Sequence, residues 1–485
     1  MEIETENQMH EKDNHNPKNE MRRSWSQKGR QVTPLQIVPY GSVNTQVVPG
    51  TTPQAPATPG VEVRENIDAY SGAYRNPLGL VMFILHLLLA LAGIGFFGFK
   101  GIQAALRKGS ERFHIEHWYP QLVGAAAVAA IFSCVWQWIV VRRPVVMING
   151  MLWASPALSF TAALLLISTS QPPCVGLGIV LLLFSVAQAL YSCWVNSRIN
   201  YASKLFPKAL APTTKFPDLQ HPSYWVILIA FIWVCFWILG VVGAISQKYA
   251  ALSVMAFILS LGWVMEVLRN VVNVTVARVL ALFYLRGMQS NVNFSFERAL
   301  TTSLGSISLG SILVPILEAL RVLARALNLV GGEDEFFFSC AHCYLILMEH
   351  VFRFGNNWGF VQVATYGKGF VKAAKDTWSL LESRGLEPVI NQDLTSSMCF
   401  LSGVASGSVC MIVAGSWTFA THKNLTATVS LLSFIIGYFM TRITMAMPQA
   451  CVCAYYVCYA ENPQNREFDS TISDRMRDFQ GSSMV

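Results

Sequence analysis

From Leu78 onward the chain is a succession of apolar runs separated by short polar breaks. Each run approaches the ~20 residues an α-helix needs to cross ~30 Å of hydrocarbon. Such runs are apolar around their whole circumference, and a water-soluble core cannot use so many. In lipid every main-chain amide must find a partner inside the protein, which a helix provides within its own segment. Composition agrees: 53% of the residues are hydrophobic and 13% charged, against ~25% charged in soluble domains. The sequence therefore predicts an all-α polytopic membrane protein with about ten transmembrane helices.

Residues 1–75 read as a disordered cytoplasmic tail, rich in Asn, Gln, Pro, Thr and Ser and broken by the prolines of Val48–Gly60. Residues 76–460 read as the transmembrane domain and 461–485 as a second cytoplasmic tail. Spans are expected near 78–99, 121–141, 145–168, 175–195, 223–245, 250–285, 300–323, 336–352, 395–420 and 425–458. The sixth is too long for an upright crossing and must tilt or extend into water. Lys and Arg concentrate in alternate connections, which places both termini in the cytoplasm. The first outer connection, with Lys100, Arg107, Lys108 and Arg112, is the exception. No apolar stretch precedes the first span, so that span is expected to act as its own membrane signal. The plasma membrane is the expected location.

The net charge of +7 suits loops beside anionic lipid. No basic stretch interleaved with aromatics points to nucleic acid. No phosphate-binding loop or nucleophile elbow is present. No cofactor is expected, and no enzymatic activity. Cys340-Ala-His342-Cys343 has a metal-like spacing but lacks a second ligand pair. The eleven cysteines are irregularly spaced and mostly intramembrane, so they read as small hydrophobes.

Ionisable groups inside a span are costly and normally face the bundle interior or a wet path. In the sixth span Trp263, Glu266, Asn270, Asn273 and Ala277 recur at i, i+3 and i+4 steps and share one face. Two readings stand side by side: a solute path that tolerates a cation, or an interhelical hydrogen-bond seam with Glu266 paired to an arginine. The seventh span carries Glu318 and Arg321 one turn apart, a Gly/Ser-rich start, and Pro315, which can break the helix and free carbonyls. Mid-span tryptophans include Trp136, Trp233, Trp237, Trp263 and Trp417. Aromatic faces hold quaternary ammonium groups, which cannot donate hydrogen bonds.

The segment from Cys340 to Leu381 resembles the hallmark region of the choline transporter-like family, solute carrier family 44, in its short fungal and plant form. The matching residues are Glu349, Phe352, Asn356 or Asn357, Ala364, Tyr366, Gly367, Lys368, Phe370, Ala374, Lys375, Asp376 and Leu380. Ala299, Leu300, Leu304, Gly305, Ser306, Gly310 and Ser311 resemble a second family motif, and Cys458-Tyr459-Ala460-Glu461 its last. The first outer loop is short, unlike the large loop of the animal members. The resemblance implies a ten-helix transporter that moves choline or a related small organic cation by facilitated passage. On that reading Trp263, Glu266, Asn270, Asn273, Glu318 and Trp417 are candidates for binding or pathway. Glu349, Tyr366, Gly367, Lys368 and Asp376 are candidates for a cytoplasmic gate, with structural docking of the loop as the other possibility. The competing function is a membrane scaffold or trafficking protein without solute flux.

Overall fold

A computed structural model describes residues 75–106, 118–288, 290–330, 351, 353 and 355–482. The described chain is helical, without a strand. The long helices are α1 (Pro77–Leu106), α2 (Tyr119–Arg142), α3 (Pro144–Ser168), α4 (Pro172–Leu210), α5 (His221–Ile245) and α6 (Ala250–Arg286). They are followed by α7 (Val292–Leu300), α8 (Leu304–Val330), α9 (Gly359–Tyr366) and α10 (Phe370–Ser383). The chain closes with α11 (Thr395–Thr421), α12 (Thr426–Thr444), α13 (Ala446–Glu461) and α14 (Thr471–Ser482). Among the described residues eight helical segments are long and apolar enough to cross a membrane, or nine if the bent pair α7–α8 is one span. The span expected at 336–352 falls almost wholly outside the described residues.

α6 is the axis of the bundle. Every residue from Asn270 to Leu282 is buried, so this stretch is covered around its full circumference. It is a single helix of 37 residues, as its unbroken apolar pattern requires. α1 lies at the periphery, where Val81, Leu85, Leu88 and Leu89 stay exposed, as a lipid-facing surface should. It crosses α5 and α8 closely, because a side chain at Gly243 or Gly305 would collide with the backbone of Phe97 or Asn76. α11 and α12 approach by the same means. A Cβ at Gly437 would sit 2.9 Å from the Cα of Gly407, and small residues allow such contact where no hydrophobic force joins helices in lipid.

Two breaks differ from the sequence expectation. The seventh span is broken at Thr301–Ser303, where α7 and α8 meet at 71°, while Pro315 sits inside a continuous α8. Asn291 caps α7, its side chain accepting from the amides of Asn293 (2.9 Å) and Phe294 (3.4 Å). The run expected as one span over 425–458 is two helices, α12 and α13, divided at Met445. Pro448 explains the division, since it lacks an amide and fits the first turn of a new helix. α13 is buried from Ala446 to Ala460.

Residues 462–482, expected as a tail, fold back onto one end of the bundle. The Asn465 amide donates to the Tyr284 carbonyl, and Phe468 stacks on Tyr284 with ring centroids 4.9 Å apart. Asp469 accepts from Tyr455 at 3.1 Å and pairs with Lys208 at 3.2 Å. Arg475 donates to Gln392 at 2.5 Å.

Candidate functional site

Five elements converge beside α6: α8, the segment leading into α9, α10, the start of α11, and α13. Between them lies a chamber of about 490 Å³. Trp358 and Trp378 form its aromatic wall, Asn391, Asp393, Thr395 and Ser396 its polar wall, and Val452 and Cys453 its apolar side. Glu318, Asn357, Ser396 and Gln449 also line a second chamber of about 480 Å³, so the two adjoin. The second is walled by Phe184, Tyr191 and Phe400 toward α4 and by Arg269 and Arg442 toward the core.

Charge is distributed unevenly across this space. Glu266 Oε2 accepts from Arg269 at 2.5 Å, and its other oxygen accepts from Arg442 at 3.2 Å. Arg269 also donates to Gln449 at 2.5 Å. Glu318 accepts from Asn357 at 3.0 Å and lines the chamber that holds both arginines. Both guanidiniums thus share one carboxylate, Glu266, and Glu318 lines the same chamber. Asp393 remains. Its oxygens accept from the Thr395 hydroxyl at 2.9 Å and the Thr395 amide at 3.2 Å. No described Lys or Arg lies within 4 Å of it. A half-buried carboxylate beside two tryptophans is a setting for a soft cation.

Of the residues singled out from sequence, Glu318 lines both chambers. Glu266 stands behind them as the partner of two arginines, which matches the hydrogen-bond-seam reading of its stripe. Trp263 lines neither chamber. It rests on His86 (4.4 Å) and Phe83 (5.6 Å), and its indole N–H donates to the Ser308 carbonyl at 3.3 Å. Asn270 donates to Ser311 at 2.9 Å, and Asn273 is buried on the same face. Trp417 is 44% exposed on α11, away from the chambers. Glu349 and the Cys340–Cys343 group lie outside the described residues.

The Tyr366-Gly367-Lys368 corner has a clear local cause. Gly367 ends α9 with φ 61°, a left-handed conformation that glycine adopts without penalty. Lys368 then turns back, donating to Gln362 and Asp376, both at 2.8 Å. The Tyr366 hydroxyl donates to Glu461 at 2.7 Å. Burial and the adjacent Glu461 carboxylate push the phenol well above its ordinary pKa, so it stays a donor. Asn356 completes the fold of this segment, accepting from the Gly359 amide (3.1 Å) and donating to the Ala374 carbonyl (3.1 Å). Gly359 has no room for a side chain, because Ala374 backbone atoms would lie within 2.8 Å of it. These bonds hold α9 against α10 and set Trp358 and Trp378 on the chamber wall.

Asp393, Trp358 and Trp378 were missed in the sequence. Asp393 precedes a span and looks like a helix-capping acid. The tryptophans flank the Tyr366 corner by eight and twelve positions, and nothing in their spacing reveals that they meet.

A family profile described as plasma-membrane choline transporter matches residues 179–464. A CTL-like protein of Dictyostelium discoideum is 26% identical over 302 residues, covering 59% of this chain and 54% of that protein. Protein PNS1 of Gibberella zeae is 28% identical over 320 residues, covering 59% of each chain. Protein PNS1 of Cryptococcus neoformans is 26% identical over 326 residues, covering 59% of this chain and 58% of that protein. The chain thus spans between one half and three fifths of the length of these curated relatives.

Proposed function

Since the chain belongs to the plasma-membrane choline transporter family, we propose that it moves choline, or a closely related small organic cation, across the plasma membrane through the Trp358–Asp393 chamber. The observation that carries this reading is the meeting of two indoles with a carboxylate that no described basic residue neutralises. A quaternary ammonium presents methyl groups and no donor, so it is held by ring faces and by long-range charge. The volume of about 490 Å³ exceeds what one such cation fills and leaves room for water during entry.

Each group has a distinct task. Trp358 and Trp378 receive the methyl groups, and Asp393 balances the charge. Glu318, Asn357, Ser396 and Gln449 accept or donate to the hydroxyl of the solute as it passes between chambers. The Glu266–Arg269–Arg442 cluster holds α6 to α12. In this reading passage follows the solute gradient and the membrane potential.

The test is uptake of labelled choline into proteoliposomes containing the full chain, with an imposed potential. The reading expects saturable uptake above empty vesicles, reduced at least about tenfold by Asp393→Asn. Uptake equal to that of empty vesicles in correctly folded wild-type protein would favour the scaffold or trafficking role.

A further inference from the structure

Between Glu116 and Asp218 the chain contains no Asp or Glu, yet it carries Arg142, Arg143, Arg198, Lys204, Lys208 and Lys215. Two of these cations are matched from elsewhere: Lys208 by Asp469 at 3.2 Å and Lys215 by Glu467 at 2.9 Å. No described carboxylate lies within 4 Å of Arg142, Arg143, Arg198 or Lys204.

The α2–α3 corner and the hairpin of α3 and α4 set three of these at one level. Its register is fixed by buried bonds: Ser155 to Gln188 at 2.7 Å, Ser185 to the Pro156 carbonyl at 2.8 Å, and Ser192 to the Leu152 carbonyl at 2.5 Å. Continued past Ser192 and Leu152, this antiparallel register sets Arg198 and Arg143 within about one helical turn of the same height. Arg142 ends α2 at the Arg142-Arg143-Pro144 corner and so shares that height.

Two exposed tryptophans mark the level as a membrane interface. Trp138 is 53% and Trp194 is 64% exposed, and exposed indoles of spanning helices gather at the headgroup layer. Each lies under a guanidinium: Arg142 is 5.3 Å from the Trp138 ring centroid and Arg198 is 4.3 Å from that of Trp194. The rings restrict the guanidiniums while leaving donors open, and a guanidinium fork matches a phosphate.

We propose that Arg142, Arg143 and Arg198 form a cationic band at one level that holds the headgroup phosphates of anionic phospholipid, with Trp138 and Trp194 flanking it at the interface. The band is separate from the solute chambers, so lipid binding stands or falls independently of choline passage.

The experiment is native mass spectrometry of the full chain released from detergent containing equal amounts of phosphatidylglycerol and phosphatidylcholine. The proposal expects phosphatidylglycerol to be retained about tenfold over phosphatidylcholine, and an excess of inorganic phosphate not to displace it. Arg143→Gln/Arg198→Gln should bring the ratio close to one with helix content unchanged by circular dichroism. Arg384→Gln, an exposed cation elsewhere, should leave it unaltered. Equal retention of the two lipids by wild-type protein would overturn the proposal without recourse to any variant. So would displacement by inorganic phosphate, or an equal loss in Arg384→Gln.

Discussion

Glu266 on α6 accepts from Arg442 on α12 at 3.2 Å across 176 residues of sequence. The same carboxylate holds Arg269 at 2.5 Å. Removing one partner of a buried ion pair strands the other charge and typically costs about 3–5 kcal/mol. Glu266→Gln strands two guanidiniums and should fall in that range, measured by thermal or denaturant unfolding in detergent. Glu266→Gln combined with Arg442→Gln should recover part of the loss. A Glu266→Gln protein as stable as wild type would show that the cluster does not hold α6 to α12.

The crossing of α11 and α12 depends on the absence of side chains. Gly437→Val would drive a side chain into Gly407 and into the Cys410 thiol, and it should prevent recovery of folded protein in size-exclusion chromatography. Gly150→Ala on α3 meets nothing within 4 Å. It should be neutral or stabilise by about 0.5–1 kcal/mol, because alanine loses less freedom in a helix.

The Tyr366 corner separates backbone from charge. Gly367→Ala forces a Cβ into the left-handed region at φ 61° and should cost about 1–2 kcal/mol. Lys368→Met removes the bonds to Gln362 and Asp376 and should loosen α9 against α10. Hydrogen exchange of the 359–383 segment reads both effects. Unchanged protection in Gly367→Ala would contradict the capping role of the glycine.

The docking of α14 should depend on pH through Asp469. Burial pushes its carboxyl up, but the Thr471 hydroxyl and amide, Lys208 and Tyr455 together hold it below the ordinary value of 3.8. A carboxyl whose folded pKa lies below its unfolded one adds stability that is complete above the unfolded value. That contribution is lost as pH falls through the folded value. Exchange protection of residues 471–482 should therefore hold from neutral pH down to about pH 4 and decline below it. Asp469→Asn should abolish that dependence.

Much of the architecture was legible in the residues because lipid imposes one rule on every span. The apolar runs gave the helices, and the unbroken pattern of 250–285 gave the long α6. The break at Met445 was hidden, since Ala446–Cys458 is as apolar as what precedes it and Pro448 alone marks the new start. The stripe of Trp263, Glu266, Asn270 and Asn273 was visible from helical spacing. What faces it was legible only in part: Arg442, inside a span, reads as a cation that neutralises a carboxylate elsewhere, but its partner Glu266 lies 176 residues away, and Gln449 reaches Arg269 across 180. Asp393, Trp358 and Trp378 belong to different segments, and their proximity follows from the packing of α9, α10 and α11.

Equilibrium binding of labelled choline to the purified full chain, in competition with 3,3-dimethylbutanol, addresses the cation chamber most directly. The alcohol has the shape of choline with carbon in place of the charged nitrogen. Aromatic and carboxylate recognition predicts that it competes at least about tenfold more weakly than choline itself. That difference should shrink in Asp393→Asn. Equal competition by the neutral analogue, or choline binding unaltered in Asp393→Asn, would contradict the account.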